Sequence, residues 1–179
     1  MIVLMGVSGS GKGEQGDRLI KKLGIPRIST SQILRETDNP KIRQKILQGI
    51  LVSDDEMIAL LEEELKKINP KNSEFILDGA PRSIPQAEWL VKKIKSGEVK
   101  LTAVINLNVS KEVVLKRLLN RDRDDDKEES ILRKFKEYDQ KTRPVLDYLK
   151  QNSLKVDEVD ADAQPEEVEQ RIARVLETK

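Results

Sequence analysis

Short apolar runs alternate along this chain with longer stretches whose apolar residues return every third or fourth position. The runs of strand length are Ile2–Met5, Phe75–Leu77, Ala103–Leu107 and Leu154–Val159, with a weaker one at Arg27–Ser29. Within Ser53–Ile68, the residues Met57, Ile58, Leu61, Leu65 and Ile68 follow helical spacing, and Ser53 with Glu56 forms a capping box. In the last segment Val168, Ile172, Val175 and Leu176 share one face. Pro165 suits a first helical turn there, with Glu166 and Glu167 placed to complement the helix dipole. Strands that alternate with helices imply a parallel sheet covered on both faces. The expected fold is therefore α/β, a three-layer sandwich with a central five-stranded parallel sheet flanked by helices. No internal repeat, low-complexity linker or domain boundary interrupts the pattern, so residues 1–179 form a single domain in this reading. The most polar stretch, Asn120–Glu129, is short and strongly charged.

Composition narrows the chemistry. At 179 residues the chain can bury one sizeable core. Charged residues make up 36% of it, yet the net charge is only +1, so any electropositive site must be local. That balance argues against nucleic acid and membrane as partners. Aromatic residues, at 3%, offer few platforms for stacking single-stranded bases. Cysteine and histidine are both absent, which excludes disulfides, cysteine-ligated zinc and imidazole base catalysis and leaves carboxylates as metal ligands. Met1 leads into the first strand without a basic leader, and no apolar run approaches the roughly 18 residues of a membrane span. The expectation is a soluble, cytoplasmic protein.

Five of the nine glycines fall within residues 6–16, in Gly6-Val7-Ser8-Gly9-Ser10-Gly11-Lys12-Gly13-Glu14-Gln15-Gly16. Strand, glycine loop, lysine and helix form the layout of a phosphate-binding loop. The glycines let consecutive N–H groups converge on phosphate oxygens, the helix N-terminus adds its positive end, and Lys12 supplies a mobile charge for the outer phosphates. A plain strand-to-helix turn needs one or two glycines rather than this series followed by lysine. The usual pattern ends in a hydroxyl residue that ligates magnesium, whereas Gly13 stands there. This points away from GTPases and motor ATPases, toward a kinase whose metal is held by phosphates, water and a more distant carboxylate.

Further segments, in order, resemble the adenylate kinase family. They are the loop Gly6–Gln15; Ile28-Ser29-Thr30 with Leu34-Arg35; Gly49-Ile50-Leu51-Val52 with Asp54; Phe75 through Ser83 with Gln86; Arg117, Arg121, Arg123 and Asp125-Asp126; and Tyr138, Thr142, Pro144 and Val145. The resemblance implies a P-loop kinase with a small helical flap over the AMP site, about residues 30–58, and a minimal lid, about 121–127. It implies ATP contacts at Gly9, Ser10, Gly11, Lys12, Gly13, Glu14, Arg117, Arg121 and Gln164. It implies AMP contacts at Thr30, Arg35, Ile50, Leu51, Val52, Gly79, Arg82, Gln86, Arg123 and Lys134. Catalysis falls to Lys12, Arg82, Arg117, Arg121, Arg123 and Lys134, with Mg²⁺ accompanying ATP and Asp78 reaching it through water. No zinc is implied, and the expected unit is a monomer that takes ATP, AMP and ADP.

Each of these residues has a physical reading of its own. Asp78 ends a buried strand beside the loop end of strand one, where a carboxylate can hold metal-bound water; it could instead cap a turn with Gly79. Pro81-Arg82 presents a guanidinium suited to bidentate contact with a monophosphate, although a solvated surface arginine is the plainer alternative. Ser83 and Gln86 also have capping-box spacing, and Thr30 could be an N-cap. Arg117 and Arg121 stand four apart, where like charges repel, and with Arg123 they would need a polyphosphate partner; near a helix C-terminus they could also serve the dipole.

The chain departs from the family in several places. Only Asp122 separates Arg121 from Arg123 where longer members insert a lid domain. Glu14 replaces the usual Thr, an acid that opposes a bound anion unless an arginine neutralises it. Ser31 and Gln32 replace Gly-Asp, and Lys134 stands where the family has a second catalytic arginine, with Arg133 adjacent. The implied reaction is phosphoryl transfer from MgATP to AMP, giving two ADP. Its rivals are a UMP/CMP kinase and an adenylate-kinase-like ATPase that serves as an assembly factor.

Overall fold

The strand β1 (Ile2–Met5) is apolar at every position and buried on both faces, as a central strand of a parallel sheet must be. The computed structural model describes residues 1–48, 50–120 and 128–179. In it β1 lies between β3 (Ile76–Asp78) and β4 (Ala103–Asn108), while β2 (Arg27–Ser29) pairs with β3 and β5 (Val156–Asp160) with β4. All four pairings are parallel, in the order β2-β3-β1-β4-β5. The five strands are the five apolar runs, with small shifts. β3 extends to Asp78, which sits opposite Leu4 of β1 and Ser29 of β2. β5 starts only at Val156, where its pairing with Val104 begins.

Side chains alternate across the sheet with the period of two that strands impose. Val3, Met5, Leu77 and Val104 face one layer, packed with Leu61, Leu65, Leu90 and Leu149. Ile2, Leu4, Ile76, Ile105 and Leu107 face the other, packed with Leu19, Val168 and Ile172. The helices are α1 (Lys12–Leu23), α2 (Thr30–Glu36), α3 (Pro40–Leu47), α4 (Asp54–Ile68), α5 (Ile84–Lys95), α6 (Lys111–Leu119), α7 (Glu128–Glu137), α8 (Arg143–Gln151) and α9 (Pro165–Glu177). A π-helical turn, Tyr138–Thr142, joins α7 to α8.

The capping box of α4 forms as expected. Ser53 Oγ accepts from the Glu56 N–H at 3.3 Å, and Glu56 Oε2 accepts from the Ser53 N–H at 2.9 Å. From the sequence the first helix is legible only over Asp17–Leu23; α1 begins five residues earlier, at Lys12, because Gly13 and Gly16 mask a first turn that the loop itself launches. The chain leaves β1 toward the β2 edge and later crosses to the β4 side. The carboxyl end of β1 therefore lies where strand order reverses, the usual place for a ligand crevice in such sheets.

Candidate active site

The loop after β1 is shaped by close approach to α6. Gly9 has φ +88°, and a Cβ there would stand 2.8 Å from Val114 Cγ1 and 2.9 Å from Leu118 Cγ. Both the left-handed backbone and the contact require glycine. Ser10 is buried, and its N–H donates to the Val7 carbonyl at 3.1 Å. Lys12 folds back over the loop, with Nζ donating to the carbonyls of Gly6 at 2.7 Å and Val7 at 2.8 Å. Gly11 is the N-cap of α1 and offers no side chain, so the helix start is left to backbone N–H groups. Space beside Gly13 is open, since a Cβ there meets nothing within 4 Å.

Glu14 is paired with an arginine that two further carboxylates share. Arg18, one helical turn on, donates from Nε to Glu14 Oε1 at 2.8 Å and also reaches Glu166 Oε1 at 2.6 Å and Glu169 Oε2 at 2.9 Å. Hydrogen bonds to Glu169, Glu14 and Glu166, in that order of size, raise the arginine's pKa further above its ordinary value. The i,i+4 spacing of Glu14 and Arg18 was the signal in the sequence that could have found this pair. On the other flank, Arg117 Nη2 donates to the carbonyls of Ala161 at 2.9 Å and Ala163 at 3.0 Å. Gln164 follows directly as the exposed N-cap of α9, so Arg117 and Gln164 border one short loop.

A second cluster gathers at the end of β3. Asp78 is buried and, among the described residues, makes no side-chain hydrogen bond. Gly79 follows with φ +85°, its N–H directed at the Leu4 carbonyl at 3.4 Å. Thr30 Oγ1 donates to the Gly79 carbonyl at 3.2 Å, and Arg82 Nε donates to the same oxygen at 2.6 Å. Arg82 Nη2 lies 3.4 Å from Thr30 Oγ1. Burial of the guanidinium lowers the Arg82 pKa, with Asp78 and Glu137 opposing. Its residue surface nonetheless stays open to solvent, and the group remains charged.

Two alternatives drawn from spacing alone do not hold. Ser83 is the N-cap of α5 but makes no capping bond; its hydroxyl donates to Asp54 Oδ1 at 2.7 Å. Gln86 accepts from the Arg82 N–H at 2.9 Å instead of from Ser83, and its Nε2 donates to Asp54 Oδ1 at 2.7 Å. Thr30 is the first residue of α2 rather than its N-cap, because its hydroxyl is drawn to Gly79.

The remaining candidates are more open. Arg35 is exposed on α2 and has no hydrogen bond or ion pair among the described residues. Ile50 and Leu51 are exposed, whereas Val52 is half-buried against the core. Arg121 and Arg123, and with them the lid segment 121–127, lie outside the described residues, as does Gly49. Lys134 is half-buried on α7, while its neighbour Arg133 is exposed. Thr142, at the end of the π turn, donates to the Arg82 carbonyl at 3.1 Å. Asp54 and Thr142 entered the sequence reading only as motif matches, since neither contact has a local spacing signal.

The arrangement pairs a glycine loop and a lysine at the end of β1 with Asp78, Thr30 and Arg82 at the end of the adjacent β3. Among the described residues no group of three or more carboxylates could hold a metal ion, and no helix is long and apolar enough to cross a membrane. A family model described as adenylate kinase matches residues 4–154. The chain is 40% identical over 164 residues to the adenylate kinase of Mycobacterium sp. (strain MCS), covering 88% of this chain and 90% of the relative. It is 37% identical over 181 residues to that of Mycobacterium bovis (strain BCG / Pasteur 1173P2), covering 98% of each. Against the adenylate kinase of Archaeoglobus fulgidus the identity is 32%, covering 98% of this chain and 97% of the relative. That alignment runs over 213 positions, more than the 179 residues here, so the Archaeoglobus relative carries residues with no counterpart in this chain.

Proposed function

The chain belongs to the adenylate kinase family, and we propose from that membership how its own residues divide the reaction. It is a nucleoside monophosphate kinase that moves a phosphoryl group from ATP to AMP, giving two ADP. An AMP phosphate oxygen forms the new P–O bond to the ATP γ-phosphorus as the bond to the β–γ bridging oxygen breaks, and that oxygen leaves on ADP. The attacking oxygen is already ionised, so no proton need be removed and a chain without histidine lacks nothing. Catalysis then rests on alignment and on charge placed where the transferring group passes.

The observation that carries the assignment is the register of β1 and β3. Leu4 sits opposite Asp78, so the loop with Lys12 and the Gly79–Arg82 strip emerge side by side. In this reading the N–H groups of residues 9–14 bind the donor phosphates, and Lys12 exchanges the Gly6 and Val7 carbonyls for phosphate oxygens. Arg117 and Gln164 border the ATP site, Arg117 on the side of the transferred phosphate. Arg82 and Arg35 hold the acceptor phosphate, Thr30, Gly79 and Gln86 line the AMP pocket with residues 50–52, and Arg121, Arg123 and Lys134 gather about the transferred group.

Adenylate kinases use Mg²⁺ with ATP. Asp78 fits that ion: it is a buried carboxylate at the crevice with no competing hydrogen bond among the described residues, and it would hold the ion through water. When bound, Mg²⁺ neutralises charge on the β- and γ-phosphates. In this reading residues about 30–58 act as the AMP flap and about 121–127 as a short lid. Donor loop and acceptor arginine lie on one chain, which supports a monomer as the working unit, and membership of the family supports a cytoplasmic location. Lys12→Met tests the assignment: with the fold retained by circular dichroism, kcat should fall by about 10² or more. Retention of over about half the activity would remove the loop from the mechanism.

A further inference from the structure

The Asp54 carboxylate joins the two segments that border the acceptor pocket. Its Oδ1 accepts from Ser83 Oγ and from Gln86 Nε2, each at 2.7 Å. Asp54 opens α4 directly behind residues 50–53, while Ser83 and Gln86 stand at the start of α5 directly behind Arg82. Thus one oxygen ties the end of the flap to the arginine strip, across 29 and 32 residues of sequence.

The chemistry of that oxygen also fixes an orientation. An ionised carboxylate only accepts, so Gln86 must turn its NH₂ toward Asp54. Its carbonyl Oε1 is then the atom that faces Arg82, where it takes the backbone N–H at 2.9 Å. Gln86 is buried, which makes an unpaired amide costly and the alternative flip unfavourable. Arg82 is held at its N–H by Gln86, at its carbonyl by Thr142 and at Nε by the Gly79 carbonyl. The first of these three anchors depends on Asp54.

We propose that Asp54 is a positioning residue for AMP: through Gln86 it sets the backbone of Arg82, and through Ser83 it sets the spacing between residues 50–52 and the arginine strip. This rests on the reading of Arg82, Gln86 and residues 50–52 as the acceptor site. Asp54 touches no substrate atom in this account. Its removal loosens the acceptor pocket and leaves the donor loop, at the end of the neighbouring β1, as it was.

The test is steady-state kinetics, with AMP and ATP varied separately, on Asp54→Ala, Asp54→Asn, Ser83→Ala, Gln86→Ala and the Asp54→Ala/Gln86→Ala pair. Asp54→Ala should raise KM for AMP about tenfold, keep KM for ATP within about twofold, and narrow the preference for AMP over UMP. Asp54→Asn, which keeps an accepting Oδ1 of the same reach, should recover most of that loss. The double variant should fall short of the product of the single effects, because the two residues act along one path. Ser83→Ala removes one of the two donors without touching α4 and should raise KM for AMP about threefold; it decides the matter if Asp54→Ala does not fold. The proposal is overturned if KM for AMP stays unchanged, if both KM values rise alike, or if the effects of Asp54→Ala and Gln86→Ala multiply. Should Gln86→Ala and Arg82→Ala both leave KM for AMP intact, the acceptor-site reading itself fails; should they raise it while Asp54→Ala and Ser83→Ala do not, only this inference does.

Discussion

Substituting Gly79 with alanine separates folding from acceptor binding at one atom. The backbone there has φ +85°, and the added Cβ would stand 2.5 Å from Thr30 Oγ1 and 2.8 Å from Arg82 Nη2. A left-handed alanine costs about 1–2 kcal/mol, which in a chain of this size lowers the melting temperature by about 2–8 °C. The two neighbours differ in what they can yield. Thr30 is short, buried and fixed at the first turn of α2, whereas the Arg82 guanidinium is the far end of a long, flexible side chain. Arg82 therefore moves. Displacing a phosphate clamp by about 1 Å costs up to about 10²-fold, equivalent to about 2.7 kcal/mol. A coupled assay for ADP should show kcat/KM for AMP reduced by about that factor, with KM for ATP within about twofold. If the melting temperature falls as expected while kinetics in AMP stay unchanged, Arg82 does not hold the acceptor and the reasoning fails.

The half-buried Lys134 and exposed Arg133 make opposite predictions. Lys134→Ala should lower kcat by roughly tenfold to a hundredfold, about 1.4–2.7 kcal/mol, and Arg133→Ala should stay within about threefold; kinetics with the reverse ranking would mean that position 133 faces the phosphates. Glu56 titrates at about 2, below its ordinary 4.5, because it accepts hydrogen bonds from Lys45 first and then from the Ser53 N–H and hydroxyl. Its contribution is present above pH 4.5 and is lost as pH falls toward 2. Melting temperatures of Glu56→Gln should therefore decline less steeply than those of the parent across that window, and parallel curves would refute the assignment.

The central strands β1 and β4 were legible because each is a nearly continuous apolar run buried on both faces, whereas the edge strands β2 (Arg27–Ser29) and β5 (Val156–Asp160) are shorter or mixed with charge and gave a weaker signal. The α4 cap was legible because Ser53 and Glu56 satisfy each other locally. The same spacing at Ser83 and Gln86 misleads, since Asp54 and the Arg82 N–H offer those side chains better partners than they offer each other. Spacing records which bonds are reachable and is silent about distant competitors. The start of α1 was hidden for a different reason: glycines that suit the loop are poor helix formers, and only the folded loop shows the helix beginning at Lys12. The pairing of Glu14 could be read one turn away at Arg18, whereas the bonds that Arg18 donates to Glu166 and Glu169 could not. Family motifs supplied Thr30, Gly79, Arg82 and Gln86 as a group, and the structure adds the hydrogen bonds that hold them.

The most direct measurement is ADP formation from MgATP with AMP present and with AMP omitted, followed by UMP and CMP in its place. An AMP-directed kinase gives turnover that depends on AMP, two ADP formed for each ATP consumed, and kcat/KM for AMP well above that for either pyrimidine nucleotide. ATP hydrolysis that proceeds equally without AMP, or rates within about threefold across the three acceptors, would contradict it.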